Sequence, residues 1–519
     1  MKLIAFSILI SVTLFASSHS QAVAQDNERK VTLLFTNDVE SAYDPIPAFW
    51  LDNIDRIGGI AEMTTLIDSI RNQPSPTFLF DAGDIFTGSL AKRTEGALAF
   101  DLMRLMQYDA LGIGNHEFEY GVDILAWQKN RAPFPVLGAN MFYKGTNHPF
   151  AQAHTIIERD GIRIGVIGIM GRDAVSAIIP SFIAPLDVTD EAEAVQKSVD
   201  AIRGDVDLIV LLTHQGKTAP MQTDAESDPR LQRDIDADIR LAGAVKGVDI
   251  LFAGHADAGT PKPVVHSDTG TIIMQTYGQG THLGFLEIEL DTTAGKIIKY
   301  DGKLIPVDAD KYKPDPKIHA LLEKTRAEHA DLFEQIGSTT HYMSRRYIEE
   351  SDVGNLFADQ IRRVAKSDIA FVHAGSLRKD IPKGNLTLAD ILDVYPFVDD
   401  VLVLELTGTQ LTEIIRQSLT FERGLLQISG FEIIYDSSKA IEDRLVSIRY
   451  QGKDIRPNDT FSAAAPGFLA EGGDLYTTFA DIEKTANAGK VSEILLEFFK
   501  ATGPVSAPSK GRQKDRSAS

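Results

Sequence analysis

Five times between residues 31 and 257, a short apolar, β-rich run ends on residues able to hold a metal ion. The run 31–35 leads into Thr36-Asn37-Asp38-Val39-Glu40, and 77–80 leads into Asp81-Ala82-Gly83-Asp84. The run 109–113 leads into Gly114-Asn115-His116-Glu117, 207–212 into Thr213-His214, and 249–253 into Gly254-His255-Ala256-Asp257. Helical stretches at 59–71, 97–106 and 192–203 alternate with these runs. That is the pattern of an α/β domain whose strands are buried on both faces. In a mainly parallel sheet the carboxyl ends of the strands open on one crevice. The spacing therefore predicts that Asp38, Glu40, Asp84, Asn115, His214, His255 and Asp257 meet. One aspartate after a strand reads as a turn or a cap; five such segments in one context do not.

The chemistry of this set is hard-ester hydrolysis. Two divalent ions roughly 3.5–4 Å apart can share one water, acidify it and clamp phosphoryl oxygens. They need one carboxylate that touches both, with mixed oxygen and nitrogen ligands around each. Asp84, alone between glycine-flanked turns, suits the shared position. Glycines at 83, 112, 114 and 254 permit tight backbone near the ions.

The rest of the chain divides readily. Residues 1–24 read as a signal peptide: Lys2, a largely apolar run from 3 to 16, and Ala22-Val23-Ala24 as a cleavage signal. The expected location is periplasmic or secreted after cleavage near Ala24. The expected domains are 25–315, a linker helix at 316–335, a second α/β domain at 336–502 with strands near 368, 401, 431 and 445, and a disordered tail at 503–519. With no cysteine there is neither a lipoprotein anchor nor a disulfide framework. No later run is apolar and long enough for a membrane anchor. A formal charge of −21 argues against a general surface for nucleic-acid polymers or anionic lipid. Nothing in the sequence marks an obligate protein partner.

The segments TNDVE (36–40), GDIFTGS (83–89), GNHEFEYG (114–121), THQG (213–216) and GHADAG (254–259) resemble, in order, the metal motifs of the calcineurin-like metallophosphoesterases. More narrowly they resemble the 5′-nucleotidase family, and the second domain is similar to that family's C-terminal substrate domain. The fold so implied is a two-domain α/β architecture: a metallophosphoesterase α/β sandwich, a linker helix and a substrate-binding domain. The resemblance implies two divalent cations (Mn, Zn, Mg or Fe), a metal-bound water as nucleophile, and a nucleotide or related phosphoester as substrate. It assigns Asp38, Glu40, Asp84 and Asp257 to one cation, and Asp84, Asn115, His214 and His255 to the other. It makes His116 a catalytic residue that stabilises charge on the phosphoryl group, oriented by Glu119.

Three of these positions depart from the family pattern, which has histidine at 40, glutamine, asparagine or histidine at 257, and aspartate at 119. The first two changes favour a harder ion at the Asp38/Glu40/Asp257 site. In the second domain, Pro396-Phe397 and GFLAEGGD (467–474) resemble the segments that stack the base and bind ribose, which implies Phe397 and Phe468 for the base and Asp474 for the sugar. HAGSLR (373–378) resembles N-x-G-G-I-R, with His373 and Gly375 lining the site and Arg378 on phosphate. Glu349 falls near the place of a second family arginine, for which Arg345 or Arg346 could substitute. These departures leave open a cyclic-nucleotide phosphodiesterase, a nucleotide-sugar pyrophosphatase or a thiosulfohydrolase-like enzyme on the same scaffold. A catalytically weak nucleotide-binding protein is the reading from another class.

Overall fold

The computed structural model describes residues 28–48, 50–217 and 234–517. The expected signal peptide at 1–24 lies outside the described residues.

The first domain is a sandwich of two six-stranded sheets. One runs Lys296–Pro306, His282–Asp291, Glu28–Thr36, Thr77–Asp81, Ala110–Gly112, Val136–Leu137 across its width. The other runs Val264–Val265, Ile272–Gln275, Ile250–His255, Leu208–Gln215, Ile162–Met170, His154–Arg159. In the first sheet the four strands from Glu28–Thr36 to Val136–Leu137 run parallel and the hairpin His282–Asp291/Lys296–Pro306 adds on antiparallel; in the second the four central strands are parallel and both edge strands antiparallel. The facing sides bury one apolar layer, including Leu33, Phe35, Phe80, Val210 and Phe252. Phe35 stacks on Phe252 across it with ring centroids 4.1 Å apart. Helices cover the outer faces: Ile60–Arg71 and Ala97–Met106 on one sheet, Glu191–Ile202 and Asp236–Ala244 on the other. Both faces of the central strands are therefore apolar, as continuous hydrophobic runs require. Among the described residues no helix is long and apolar enough to cross a membrane.

The connecting helix is shorter than expected. It spans Pro316–Glu328, starts on the Asp315 side chain, which accepts the Lys317 and Ile318 N–H groups, and ends at His329. A 3₁₀ turn, Ala330–Phe333, follows, and Gln335–Thr339 is already a strand. Ile318, Leu322 and Leu332 pack into the first domain's core, whereas Phe333 is exposed. The apolar positions are thus served by two short elements, not one long stripe.

The second domain is built on a five-stranded sheet, in the order Gln427–Ser429, Ile369–Val372, Thr460–Pro466, Asp400–Thr407, Lys484–Lys490. A separate four-stranded sheet contains Glu432–Tyr435 and Leu445–Tyr450.

The tail expected to be disordered is ordered through Ser517. Its strand Gln513–Asp515 pairs parallel to Glu432–Tyr435. Arg512 forms two hydrogen bonds to Asp359, at 2.8 and 2.6 Å, and Glu350 accepts the N–H groups of Gly511, Arg512 and Gln513. Composition suggested disorder because the docking carboxylates lie roughly 150 residues away in sequence. Deleting residues 510–519 leaves Asp359 and Glu350 without these partners and opens a sheet edge. The expected result is a melting temperature lower by about 5 °C, read by calorimetry on the full chain.

Candidate active site

The two sheets converge at their carboxyl ends, and the metal-capable residues collect there from both. Asp38, Glu40, Asp84 and Asn115 follow strands of the first sheet; His214 lies in and His255 ends neighbouring strands of the second. Parallel register sets Gln215 beside His255 and Thr36 beside Asp81. Parallel strands alone do not produce this; the facing of the sandwich's two sheets does.

Asp84 is the common member. Its Oδ2 lies 3.0 Å from His214 Nε2 and 3.8 Å from His116 Nε2. Ligand atoms of Asp84, His214 and His255 fall within 4.8 Å of one another, and so do those of Glu40, Asp84 and His116. Asn115 Oδ1 is 3.1 Å and Asp38 Oδ1 4.0 Å from His214 Nε2. The His255 N–H reaches both Asp38 oxygens, at 3.0 and 2.9 Å. Asp257 is near enough to Asp38 to raise its pKa.

The backbone is strained where these side chains leave it. Asp38, Glu40, Asp84, His255 and Asp257 have φ of +50°, +46°, +62°, +73° and +51°. Each such residue costs about 1–2 kcal/mol relative to right-handed backbone. A turn alone would use glycine, so the side chains are retained for what they do. Glycine appears where side chains must be absent: a Cβ on Gly114 would collide with Asp84 Oδ1.

Glu117 was not singled out from the sequence. It is fully buried, and its carboxylate accepts the N–H groups of Gly114 at 2.6 Å, Asp84 at 3.0 Å and Ile85 at 2.8 Å. It thus ties the Asp84 loop to the Asn115 loop. No spacing rule distinguishes it from its neighbours in the GNHE segment.

The electrostatics call for a cation. Burial opposes charge on His116 and His214, but the surrounding carboxylates together outweigh it, Asp84 first, with Glu119 and Glu40 at His116 and Asp38 and Glu117 at His214, lifting His116 well above the imidazole range and His214 to about 10. Burial and neighbouring Asp257 push Asp38 well up. His255 is driven well down by burial and by His214. The donors fit a divalent ion. His214 Nδ1 is held by the Ala82 carbonyl at 2.8 Å, which leaves Nε2 facing Asp84. His255 Nε2 and Glu40 Oε2 are buried without a hydrogen-bond partner.

His116 is oriented from behind. Its Nδ1 is 2.6 Å from Glu119 Oε1, which also accepts the Thr87 hydroxyl at 2.9 Å. The longer acid at 119 therefore spans the gap. His116 Nε2 points to Glu40 Oε1 at 3.3 Å.

The second domain closes the site. Arg378 Nη2 pairs with Glu40 Oε1, and the Phe397 ring lies 6.2 Å from His116, nearly parallel to it. Lys92 Nζ donates to the Phe397 carbonyl at 2.7 Å, and the Ser89 N–H to Asp393 at 2.8 Å, joining the domains. Phe468 packs edge-on to His373 with centroids 5.7 Å apart. His373 Nε2 lies 3.1 Å from Asp474 Oδ2, off-line for a hydrogen bond. A Cβ on Gly375 would come within 2.8 Å of the His373 ring. Arg423, also unremarked in the sequence, has Nε 3.8 Å from Asp474 and reaches the Ser176 hydroxyl of the first domain at 3.3 Å. Arg345 contacts the Leu377 carbonyl at 3.4 Å.

Asp399 carries a pH dependence. Burial raises its carboxyl to about 6, against hydrogen bonds from the Tyr395 hydroxyl and the Phe468 N–H. A pKa raised on folding gives stability that is full below the unfolded value, near 4, and lost as pH rises to about 6. Relative to Asp399→Asn, wild-type melting temperature should fall across that window and then level off. A constant difference from pH 4 to 7 would contradict the assignment.

Residues 31–256 match the model of the calcineurin-like phosphoesterases, and residues 335–481 that of the 5′-nucleotidase C-terminal domain. The chain is thus a metallophosphoesterase of the calcineurin-like class, a metal-dependent phosphoric ester hydrolase. By the pairing of its two domains it belongs to the 5′-nucleotidase family. It is 27% identical to a 5′-nucleotidase of Vibrio vulnificus, over 96% of this chain and 95% of that protein. It is 28% identical to the endonuclease YhcR of Bacillus subtilis over 85% of this chain, but spans only 37% of that protein. The crystal structure of a 5′-nucleotidase precursor from Thermus thermophilus shares the fold, with a TM-score of 0.80 over 94% of this chain and 99% of that one at 24% identity.

Proposed function

We propose that the protein is an exported nucleotide phosphohydrolase that works with two divalent cations and releases phosphate from its substrate. The observation that carries this reading is the place of Asp84, whose carboxylate lies within 4.8 Å of ligand atoms of His214 and His255 on one side and of Glu40 on the other. The cations, when bound, polarise the phosphoryl group and acidify water. Asp38, Glu40 and Asp257 with Asp84 would hold one ion; Asp84, Asn115, His214 and His255 would hold the other. Oxygen donors suit a harder ion such as Mn²⁺ or Mg²⁺ at the first, and imidazoles suit Zn-, Mn- or Fe-like coordination at the second. Two equally tight zinc ions per chain would contradict that division.

The protein's own groups do the remaining work. Glu119 accepts from His116 Nδ1 and favours the imidazolium, whose Nε2–H would face the phosphoryl or leaving oxygen. Arg378 contributes a fixed positive charge from the opposite domain. Phe397 and Phe468 offer aromatic faces for the base, Asp474 an acceptor for the sugar, and His373 and Gly375 the wall between. The domain limits 25–315, 316–335 and 336–502 follow the same reading, as does export after cleavage near Ala24.

The deciding experiment strips the protein with a chelator, restores single metals, and follows phosphate release from AMP, UDP-glucose, 2′,3′-cyclic AMP and bis(p-nitrophenyl) phosphate. Metal-dependent release from AMP is expected. No release from any of the four with any metal would end the hydrolase reading of this site. Phosphodiester cleavage is the second reading, favoured by the ion pair that already engages Arg378 and by the likeness to an endonuclease.

A further inference from the structure

Position 40 departs from the histidine pattern in a way the geometry makes specific. A neutral imidazole cannot pair with a guanidinium as a carboxylate does. Here Glu40 Oε1 takes Arg378 Nη2 and lies 3.3 Å from His116 Nε2. Those are the two groups set against a phosphoryl oxygen in the reaction proposed above, on which this inference rests. The Glu40 side chain is only 5% exposed, and its Oε2 is buried without a hydrogen-bond partner. A carboxylate oxygen and a phosphoryl oxygen are equivalent acceptors for a guanidinium fork.

We infer that Glu40 is a specificity-determining residue whose carboxylate occupies the anion position between Arg378 and His116, so that the cleft disfavours dianionic terminal phosphates relative to monoanionic phosphodiesters. An incoming phosphoryl oxygen must displace Glu40 from both donors. The Arg378–Glu40 pair carries no net charge, and Arg423 is similarly balanced by Asp474, 3.8 Å away. A second negative charge on the substrate therefore gains little from either arginine.

The test uses inorganic phosphate and the metal-stripped full chain, at about pH 8, where phosphate is mainly dianionic. In calorimetric titrations, Glu40→Gln should bind phosphate at least about 10-fold more tightly than wild type, and adding Arg378→Ala should abolish the gain. Equal affinities for wild type and Glu40→Gln overturn the inference. In the metal-loaded enzyme, Glu40→His should shift the ratio of kcat/KM for bis(p-nitrophenyl) phosphate over p-nitrophenyl phosphate toward the monoester by about 10-fold. An unchanged ratio overturns it as well. Separated phosphate affinities with no release from any of the four substrates named above would end the hydrolase reading and leave standing only Glu40's hold on the anion position. Turnover with coincident affinities would end the Glu40 inference alone.

Discussion

Replacing Asp84 by alanine is expected to cut turnover by more than about 10³-fold and to lower the bound content of both cations together. The reason is geometric. The Asp84 carboxylate is within reach of His214 on one side and His116 on the other, and belongs to both ligand groups. It also accepts the His116 N–H at 2.7 Å, so its loss frees the backbone of the neighbouring loop. His255→Ala removes a side chain found in one group only and should deplete mainly one ion. Metal content by plasma emission, measured beside kcat, separates the two cases. An Asp84→Ala protein with wild-type metal content would exclude a shared carboxylate.

The second large effect is on stability. Glu117→Ala leaves three buried N–H groups, of Gly114, Asp84 and Ile85, without their acceptor. Each unsatisfied group costs about 1–3 kcal/mol, so the sum rivals the ~5–15 kcal/mol net stability of a folded domain. Glu117→Ala should therefore lower the melting temperature by more than about 5 °C and weaken metal binding, because the Asp84 and Asn115 loops lose their tie. Glu117→Gln keeps one acceptor oxygen but turns an amide donor toward N–H groups, and should fall between. A Glu117→Ala protein that melts with wild type would show that the loops are held by other contacts.

Much of this was readable in the chain. Apolar runs at 31–35, 77–80, 207–212 and 249–253 correspond to strands, because residues buried on both faces must be apolar whatever the partner. The ligand-capable residues could be picked out because they interrupt that apolar pattern at one end of each run. Glu117 and Arg423 could not. Each acts through contacts to residues distant in sequence or to backbone N–H groups, and neither leaves a periodic trace. The tail failed for the same reason. Its Lys, Ser and Pro content speaks of solvation, whereas the Asp359 partner of Arg512 lies on the helix Asp352–Ala365, 153 positions away.

Which side chains could bind metal, and that each would sit at a strand's carboxyl end, followed from the order of residues alone, since periodicity and turn chemistry are local properties. Three outcomes needed the packed molecule: that two sheets supply one site, that the backbone at Asp38, Glu40, Asp84, His255 and Asp257 bears left-handed strain, and that Glu40 meets Arg378 from the other domain. They depend on how separately formed layers pack against each other, and the free energy of that packing is a sum over contacts between residues hundreds of positions apart.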